Sequence, residues 1–470
     1  MGTIWPGALP EGPGPKYKQL SETIRNAIAA GQLAAGDRLP PVRELAFQLS
    51  ITPGTVARAY TVLTDAGVLQ AEVGRGTFVA EQSQADDTVE AIEIDVIAHN
   101  TGGPSSNDVN LFSPHLPSVG QTGLIRKILT ELGREPPSGL MHYPSQAAAQ
   151  PLREAVVDWI ADLPLGSVSE RHIVPTNGGQ NAISLILQAV LQGRRPVVLV
   201  EELSYPGFRR AAELLRAEVV PVAMDDQGVI PEALAAAARA HDAQIFCTTP
   251  EVHNPTGLLT PMERRVQLAE VAEKHDLQIL EDACYLLRET AAPSYRMIAP
   301  ERSWYVTSLS KSITPALRFG FGVAPDGQES RLRRAAEYGF FGVSTPIVDL
   351  VTLLLRHPQL RAIEDEIRSV IRTYLQSTAN ILGMYQLGWR DGAPFVWITL
   401  PPGWRASAFC VAAEAQGIRI RPAEDYACRN ARSPHAVRLS VNSGIPLDHY
   451  EAALNRLRDL LDNPPERIGV

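Results

Sequence analysis

The sequence predicts an α/β protein that carries a smaller, mainly helical module at its N-terminus. In residues 107–470, short β-branched runs alternate with segments of helical periodicity. This alternation is typical of a sheet covered by helices on both faces. Residues 1–80 lack the alternation and show three helical segments followed by two short strand-like runs. The two parts are therefore expected to fold as separate domains.

Composition limits the classes of function. The chain has 470 residues, of which 45% are hydrophobic and 20% charged, enough for two or three domains with a buried core. Its net charge of -9 gives no general attraction to nucleic acid, so a DNA-binding face would have to be local. The four cysteines are widely spaced, which argues against a zinc ribbon or a disulfide framework and indicates a reducing cytoplasm. No signal peptide or membrane span is expected.

Residues 1–80 predict a winged helix-turn-helix. The expected elements are helices near 20–31, 42–49 and 53–66 and strands over 68–72 and 77–80. Thr52 is a favourable N-cap for the third helix and Pro53 a favourable first residue. The ribbon turns at Gly74-Arg75-Gly76. A third helix of this kind fits the major groove of DNA, and an arginine at the wing tip can approach phosphate or the minor groove.

The motifs at 39–46, 55–60 and 74–79 resemble the GntR-type winged helix. The resemblance implies a double-stranded DNA operator as partner. The residues that it places against DNA are Arg43, Thr52, Thr55, Arg58, Arg75 and Gly76. Residues 11–80 hold seven basic and six acidic residues, a faint electrostatic footprint for DNA. A winged helix kept for protein contacts is the alternative.

Residues 81–106 are predicted to form an acidic linker. Six acidic residues and no basic residue occur between positions 81 and 95. Glycine, proline and serine then dominate positions 101–106. The expected role is a mobile tether whose charge keeps it away from DNA.

Candidate functional residues follow the predicted strands of the α/β part, where ligands gather in such sheets. Lys311 lies among hydroxyl residues, with Arg318 close by. A lysine that forms a Schiff base must lose its proton, and a nearby cation or burial assists that loss. The hydroxyls and Arg318 could hold a phosphate beside it. From these residues alone, a lysine exposed to solvent remains equally possible.

The segment 176–181 precedes a predicted helix, and the segments 204–207, 254–257 and 281–285 follow predicted strands. Together with the segment around Lys311, their order and spacing resemble the fold-type-I aminotransferases, which use pyridoxal 5'-phosphate (PLP), over residues 107–470. The resemblance implies that Lys311 forms the internal aldimine and that Asp282 pairs with the pyridine nitrogen. It implies that Tyr205 stacks on the ring. Asn254 and Tyr285 would hydrogen-bond the phenolic oxygen of the ring. The phosphate would be held by Gly178, Gly179, Gln180, Ser308 and Arg318. A smaller C-terminal α+β subdomain would complete the fold.

Two further residues take roles from the same resemblance. Arg438 would bind the carboxylate of a substrate or effector, or a sulfonate or phosphonate in its place. Tyr143 would reach the phosphate of a neighbouring subunit, which implies a homodimer. Plainer interpretations remain open: Asp282 as a strand-end cap, Asn254 as a turn residue and Arg438 as part of a structural ion pair.

A GntR-type winged helix joined to such a domain is the arrangement of the MocR family of bacterial transcription regulators, which the whole chain resembles. The resemblance implies a domain-swapped homodimer, in which each DNA-binding head meets the other subunit's large domain. A small amino compound would be sensed by aldimine exchange at Lys311 and would change operator binding. The alternative is an active PLP-dependent aminotransferase with an appended regulatory head, since the full catalytic set is present. The identity of the effector and the choice between activation and repression stay open.

Overall fold

The computed structural model describes residues 15–65, 68–72, 76–80, 108–134, 141–145, 147–285, 288–428 and 433–464. The chain divides into two compact units, Met1–Ile97 and Ala98–Val470. The predicted linker and the wing-tip residue Arg75 lie outside the described residues.

The first unit is a winged helix-turn-helix, as predicted. Its elements are α1 (Lys16–Ala29), α2 (Val42–Gln48), α3 (Pro53–Asp65), β1 (Leu69–Glu72) and β2 (Gly76–Val79). Leu20, Leu45 and Leu63, one from each helix, are fully buried in a common core. The side chain of Thr52 caps α3, because its Oγ1 accepts a hydrogen bond from the Thr55 N–H at 3.3 Å. The strands β1 and β2 pair antiparallel to form the wing.

The second unit contains the α/β part. Its helices are α4 (Gln121–Arg134), α5 (Gln150–Trp159), α6 (Gly179–Val190), α7 (Pro206–Leu214), α8 (Pro231–His241), α9 (Met262–Lys274), α10 (Tyr295–Ile298), α11 (Glu329–Phe340), α12 (Thr345–Arg356), α13 (Leu360–Leu382), α14 (Ala406–Glu414) and α15 (Leu447–Asp462). A short 3-10 helix covers Ala423–Asp425. None of the described helices is both long and apolar enough to cross a membrane.

The strands of the second unit form one large and one smaller sheet, with two short pairs beside them. They are β3 (Val109–Asn110), β4 (Ile173–Thr176), β5 (Val197–Glu201), β6 (Glu218–Val222), β7 (Met224–Asp225), β8 (Gly228–Val229), β9 (Ile245–Thr248), β10 (Gln278–Asp282), β11 (Ser303–Ser308), β12 (Gly320–Val323), β13 (Leu387–Trp389), β14 (Phe395–Thr399), β15 (Ile418–Arg419), β16 (Arg421–Pro422) and β17 (Ala436–Ser440).

The seven-stranded sheet has the order β4-β12-β11-β10-β9-β5-β6. Strands β11, β10, β9, β5 and β6 are parallel neighbours, whereas β12 runs antiparallel to both β11 and β4. The residues of β5, β9 and β11 are all buried, as expected for strands covered on both faces. The smaller sheet, β13-β14-β17-β16, packs with α13, α14 and α15 as the predicted C-terminal subdomain.

Strand boundaries differ from the prediction where polar residues occur. The apolar runs of the sequence predict strands over 278–280 and 303–306. In the structure, β10 and β11 continue to Asp282 and Ser308. Strand β4 was not predicted at all, since Pro175 lies inside it. Because β4 is an edge strand of the sheet, a proline there interrupts no central hydrogen-bond ladder.

We expect Glu364→Ala to destabilise the protein by about 3 kcal/mol, at the low end for a broken buried ion pair. Glu364 is 1% exposed, accepts a hydrogen bond from Trp159 Nε1 at 3.0 Å and pairs with Arg288 Nη2 at 3.3 Å. Asp162, 2.9 Å from Arg288 Nη1, would still compensate part of the freed charge. Urea denaturation measures the effect. The control Glu366→Ala, exposed on the same helix, should stay within about 0.5 kcal/mol of the wild type.

Candidate functional site

Polar side chains collect at one edge of the large sheet. Four parallel strands end there on Glu201, Thr248, Asp282 and Ser308. The antiparallel strand β12 starts at the same edge, because Gly320 pairs with Ser308. Parallel strands that end together form the usual ligand crevice of an open α/β sheet. The sequence-predicted residues that follow these strands are therefore brought to one place.

The glycines before α6 make a cradle closed by Arg318. Gly178 has a φ of 89°, and a Cβ added there would lie 2.9 Å from Arg318 Nη2. A Cβ on Gly179 would lie 2.5 Å from Cys284 Sγ, so both positions require glycine. Arg318 itself adopts a φ of 47°, an unfavourable conformation that is found at ligand clamps. Backbone N–H groups at the start of α6 and a guanidinium thus face the same space, which suits a phosphate.

Lys311 lies in the turn that follows β11 and is half-buried. It makes no hydrogen bond or ion pair with any residue that the structure describes. Burial lowers its pKa from 10.5 to about 8, and the positive charges of Arg438 and Arg318 contribute. An amine in this state loses its proton near neutral pH and can add to a carbonyl carbon.

Asp282 supplies a carboxylate with no cation beside it in the described part of the chain. Its Oδ1 accepts a hydrogen bond from the Cys284 N–H at 2.9 Å. Burial raises the pKa of Asp282, although the contacts with Cys284 oppose that rise. Ser308 Oγ lies 3.8 Å from Cys284 Sγ and ties the ends of β10 and β11 together. A partly buried carboxylate without a counter-ion fits a cationic ligand group such as a protonated pyridine nitrogen.

The side chain of Tyr205 is held in place by Gln180. Its hydroxyl donates to Gln180 Oε1 at 3.0 Å, and Gln180 Nε2 donates to Gly207 O at 2.9 Å. A Cβ on Gly207 would lie only 2.2 Å from Tyr205 Cε1. Burial raises the pKa of Tyr205, so the phenol stays neutral. The side chain of Gln180 is thus occupied by Tyr205 and Gly207, which leaves its backbone N–H for a phosphate.

Asn254 and Arg438 are joined directly. Arg438 Nη1 donates to Asn254 Oδ1 at 2.9 Å, and both residues are nearly fully buried. No carboxylate lies within ion-pair distance of Arg438 among the described residues, and its Nε has no hydrogen-bond partner. The interpretation of Arg438 as part of a structural ion pair is therefore not supported. A buried guanidinium without a counter-ion suits an anionic ligand group.

Two tyrosines of the predicted site have different surroundings. Tyr285 packs its ring on Phe395 at a centroid distance of 5.1 Å, and burial raises its pKa to about 12. Tyr143 is 81% exposed and packs on Phe341 at 5.6 Å. Tyr143 thus presents an exposed ring on the single chain, and its predicted contact with a neighbouring subunit stays a prediction.

Sequence reasoning missed the buried network behind Asn254. Glu201 accepts from Thr248 Oγ1 at 2.6 Å and lies 3.3 Å from His253 Nε2. His253 Nε2 also lies 2.9 Å from Leu203 O, and since both neighbours are acceptors the proton is assigned to Nε2. Thr249 Oγ1 accepts from the Asn254 N–H at 3.1 Å. The adjacency of His253 and Asn254 in the sequence does not by itself predict this network.

The predicted DNA-contact residues that the structure describes lie on the first unit. Arg43 is exposed on α2, Thr52 and Thr55 share a hydrogen bond of 2.9 Å at the start of α3, and Arg58 is exposed on α3. The guanidinium of Arg58 lies 4.3 Å above the ring of Tyr17. Gly76 has a φ of 124°, and its α-carbon faces Arg38, an arginine that sequence reasoning did not select. Thr52, Thr55 and Arg58 thus lie together around the N-terminal half of α3.

Two family descriptions match the chain. Residues 16–79 match the bacterial regulatory proteins of the gntR family, and residues 111–457 match the aminotransferases of class I and II. The second match covers more than half of the chain. Aminotransferases of this fold generally use PLP.

Similar proteins include bacterial transcriptional regulators. The HTH-type transcriptional regulator YdeF of Bacillus subtilis is 28% identical over 98% of this chain and 97% of its own length. TauR of Rhodobacter capsulatus, also an HTH-type transcriptional regulator, is 31% identical over 67% of this chain and 69% of its own. The vitamin B6 salvage pathway transcriptional repressor PtsJ of Salmonella typhimurium is 28% identical over 92% of this chain and 95% of its own length.

Solved structures show the fold of the second unit. An archaeal alanine:glyoxylate aminotransferase superposes with a TM-score of 0.68 and 22% identity, over 76% of this chain and 91% of that one. The kynurenine aminotransferase of Pyrococcus horikoshii superposes with a TM-score of 0.67 and 21% identity, over 76% of this chain and 91% of that one. With a GntR helix-turn-helix followed by a fold-type-I aminotransferase domain, the chain belongs to the MocR-type transcriptional regulators of the GntR superfamily.

Proposed function

We propose that this regulator binds PLP at Lys311 and senses a small amino compound by exchange of that compound with the lysine Nζ. The observation that carries the proposal is the state of Lys311: half-buried, without a partner among the described residues, and with a pKa near 8. A structural or solvent-facing lysine needs none of these properties. The GntR module gives the sensed signal an output, which is altered binding to a DNA operator.

The residues at the sheet edge fit the cofactor. PLP, when bound, supplies an aldehyde carbon that reacts with amines and a ring that withdraws electrons. Asp282 offers an unpaired carboxylate to the ring nitrogen, and Tyr205 is fixed by Gln180 in a position to stack. The Gly178–Arg318 cradle offers N–H groups and a cation to the phosphate. Asn254 and Tyr285 are assigned to the phenolic oxygen.

Arg438 is proposed to select effectors that carry an acidic group together with the amine. Its buried guanidinium has an unpaired Nε and no carboxylate partner in the described residues. A carboxylate fits the planar fork, and a sulfonate or phosphonate offers similar oxygens. An amine without an acidic group would leave the buried charge of Arg438 unmatched and should bind more weakly.

The assembly that we propose is a homodimer acting in the cytoplasm. The exposed aromatic residues Tyr143 and Phe341, which pack on each other, support a contact with a second copy of the chain. Tyr143 would then reach the phosphate in the partner's site. The DNA-binding heads would cross over to the partner's large domain.

An active aminotransferase is the second candidate. It is favoured by the co-occurrence of Lys311, Asp282 and Tyr285 near the edge of the large sheet with Arg438, which binds Asn254 from the smaller sheet, since these groups can also serve turnover. A third interpretation, a winged helix used only for protein contacts, predicts no DNA binding at all. The three candidates differ in measurable outcomes.

The deciding experiment uses the full chain loaded with PLP. Affinity for DNA upstream of its own gene is measured with a panel of amino acids, aminosulfonates and aminophosphonates, while the absorption of the cofactor is followed in parallel. We expect one compound class to change both readings. Equal DNA affinity with every compound that changes the absorption would overturn sensing, and steady production of a keto acid would favour the enzyme.

The pH dependence of cofactor uptake tests the state of Lys311. Only the unprotonated Nζ adds to the aldehyde, so the uptake rate should rise with pH and level off above about pH 8. Arg438→Gln removes a positive charge that lowers the pKa of Lys311, so the midpoint should move to higher pH. Stopped-flow absorption measures the midpoint. The control Arg372→Gln, whose arginine is paired with Asp391, should leave it in place, and an unshifted midpoint in Arg438→Gln would contradict the assignment.

Arg43→Ala should weaken binding of the full chain to operator DNA and reduce the slope of log K against log salt by about 1, as expected for one lost phosphate contact. Arg43 is exposed on α2. Fluorescence anisotropy over a salt series gives both quantities. Arg25→Ala, which removes an exposed arginine of α1, serves as the matched control. Equal slopes for Arg43→Ala and the wild type would remove Arg43 from the interface.

A further inference from the structure

The first described residues of the second unit are fixed to the C-terminal subdomain. Strand β3 pairs parallel with β15, and the Val109 N–H donates to Gly417 O at 2.7 Å. The Leu111 N–H donates to Arg419 O at 2.8 Å. Residues 108–112, called the 108–112 segment below, are therefore the first described residues of the second unit and are held by its C-terminal subdomain.

This segment contacts the proposed effector arginine directly. Arg438 Nη2 donates to the Phe112 carbonyl oxygen at 3.1 Å and to Ser440 Oγ at 3.1 Å. Ser440 Oγ in turn donates to the same carbonyl at 3.1 Å, which closes a ring of three hydrogen bonds. The guanidinium carbon of Arg421 lies 3.9 Å from the centroid of the Phe112 ring. Phe112 is thus held through both its backbone and its side chain.

The chemistry of a guanidinium makes these contacts compete with bidentate anion binding. A carboxylate binds a guanidinium through two N–H groups on one face, either from Nη1 and Nη2 or from Nη2 and Nε. Both faces use Nη2. Nη2 already donates to both the Phe112 carbonyl and Ser440 Oγ, while Nη1 donates to Asn254 and Nε is unpaired. A bidentate anion on Arg438 therefore competes with the Phe112 carbonyl and Ser440 Oγ for Nη2 and weakens the ring of hydrogen bonds.

We propose that Phe112 is a positioning residue for Arg438 and that the 108–112 segment loosens when an acidic group occupies that arginine. The inference rests on the proposed function, because it takes Arg438 as the site for the acidic group of the effector. The coupling is reciprocal: a ligand that opens the Phe112 contact binds more weakly when the segment is held in place.

The test is hydrogen–deuterium exchange of the full chain, followed by mass spectrometry of peptides that cover 108–116. Acetate is the probe, because it carries a carboxylate but no amine and cannot react at Lys311. Chloride at equal ionic strength is the reference. We expect acetate to speed exchange at Val109 and Leu111 by about tenfold at saturation, the loss expected for a broken hydrogen bond to a charged group. Peptides of β11 should not respond.

Variants decide the outcome without relying on the affinity for acetate. Arg438→Gln should show fast exchange of the segment before any acetate is added, and no further response. Ser440→Ala, a small change that keeps Arg438, should give a partial increase and keep the response. Arg372→Gln is the matched control and should behave as the wild type. Unchanged exchange of the segment in both Arg438→Gln and Ser440→Ala would overturn the proposal.

The two proposals fail in different ways. Covalent uptake of PLP by Lys311 with a segment that is indifferent to Arg438 would overturn the role of Phe112 and leave the proposed sensing intact. If the exchange of the 108–112 segment depends on Arg438 but the chain takes up no PLP, the proposed sensing is overturned and the role of Phe112 stands.

Discussion

Lys311→Ala should abolish the covalent link between PLP and the protein and, with it, every effect of amino compounds on DNA binding. Lys311 is the only lysine that the resemblance places at the cofactor, and its Nζ has no structural partner among the described residues to lose. The fold should therefore survive the change. Borohydride reduction followed by mass spectrometry detects the link, and anisotropy with operator DNA detects the response.

Lys274→Ala provides the matched control for this change. Lys274 is exposed at the end of α9. Its replacement should leave both the covalent link and the response at wild-type levels. A Lys311→Ala protein that still responds to amino compounds would show that sensing does not pass through the lysine.

Gly320→Ala should have the largest structural effect at the site. A Cβ at position 320 would lie 2.8 Å from the carbonyl carbon of Gly178, 2.9 Å from the Gly179 nitrogen and 2.9 Å from Thr307 O. All three neighbours are backbone, so no side chain can rotate away. We expect a loss of about 2–3 kcal/mol in the free energy of unfolding. Affinity for PLP should fall by about tenfold, since the displaced backbone belongs to the proposed phosphate cradle.

Gly123→Ala separates this effect from that of any added methyl group. Gly123 lies inside α4 with no atom within 4 Å of the added carbon. Alanine there should stabilise the protein by about 0.5–1 kcal/mol and leave PLP binding unchanged. For each of the two variants, urea denaturation measures the free energy of unfolding and equilibrium titration measures the affinity for PLP. Wild-type stability in Gly320→Ala would mean that the strands can separate at little cost.

Local patterns predicted the overall fold well. Buried parallel strands appear in the sequence as continuous apolar runs. A proline at the first position of α8 and a glycine before α6 mark where these helices begin. The edge strand β4 was missed because Pro175 argues against a strand unless its edge position is known. Edge position is a property of the whole sheet and cannot be read from four residues.

The candidate site could be proposed from the sequence where a residue would act through its own chemistry. Lys311 and Asp282 carry charges at or just after the ends of strands, and Arg438 carries one inside a strand. Residues that act by holding others gave no signal. Glu201 lies 47 positions from its partner Thr248. Phe112 lies 326 positions from Arg438 and binds it with a backbone carbonyl, which any residue type would offer. Such contacts depend on long-range packing and not on residue type.

The antiparallel strand β12 has a consequence for how a cofactor would be retained. Because β11 and β12 run in opposite directions, the segment 309–319 leaves and returns at one sheet edge, closed by the Leu309 N–H on Phe319 O at 3.1 Å. Lys311 and Arg318 are therefore two ends of one short clamp. A ligand held by both behaves as a chelate, so release by Lys311 leaves it at high effective concentration beside the lysine. Exchange with an amine could then proceed many times without loss of the cofactor to solvent.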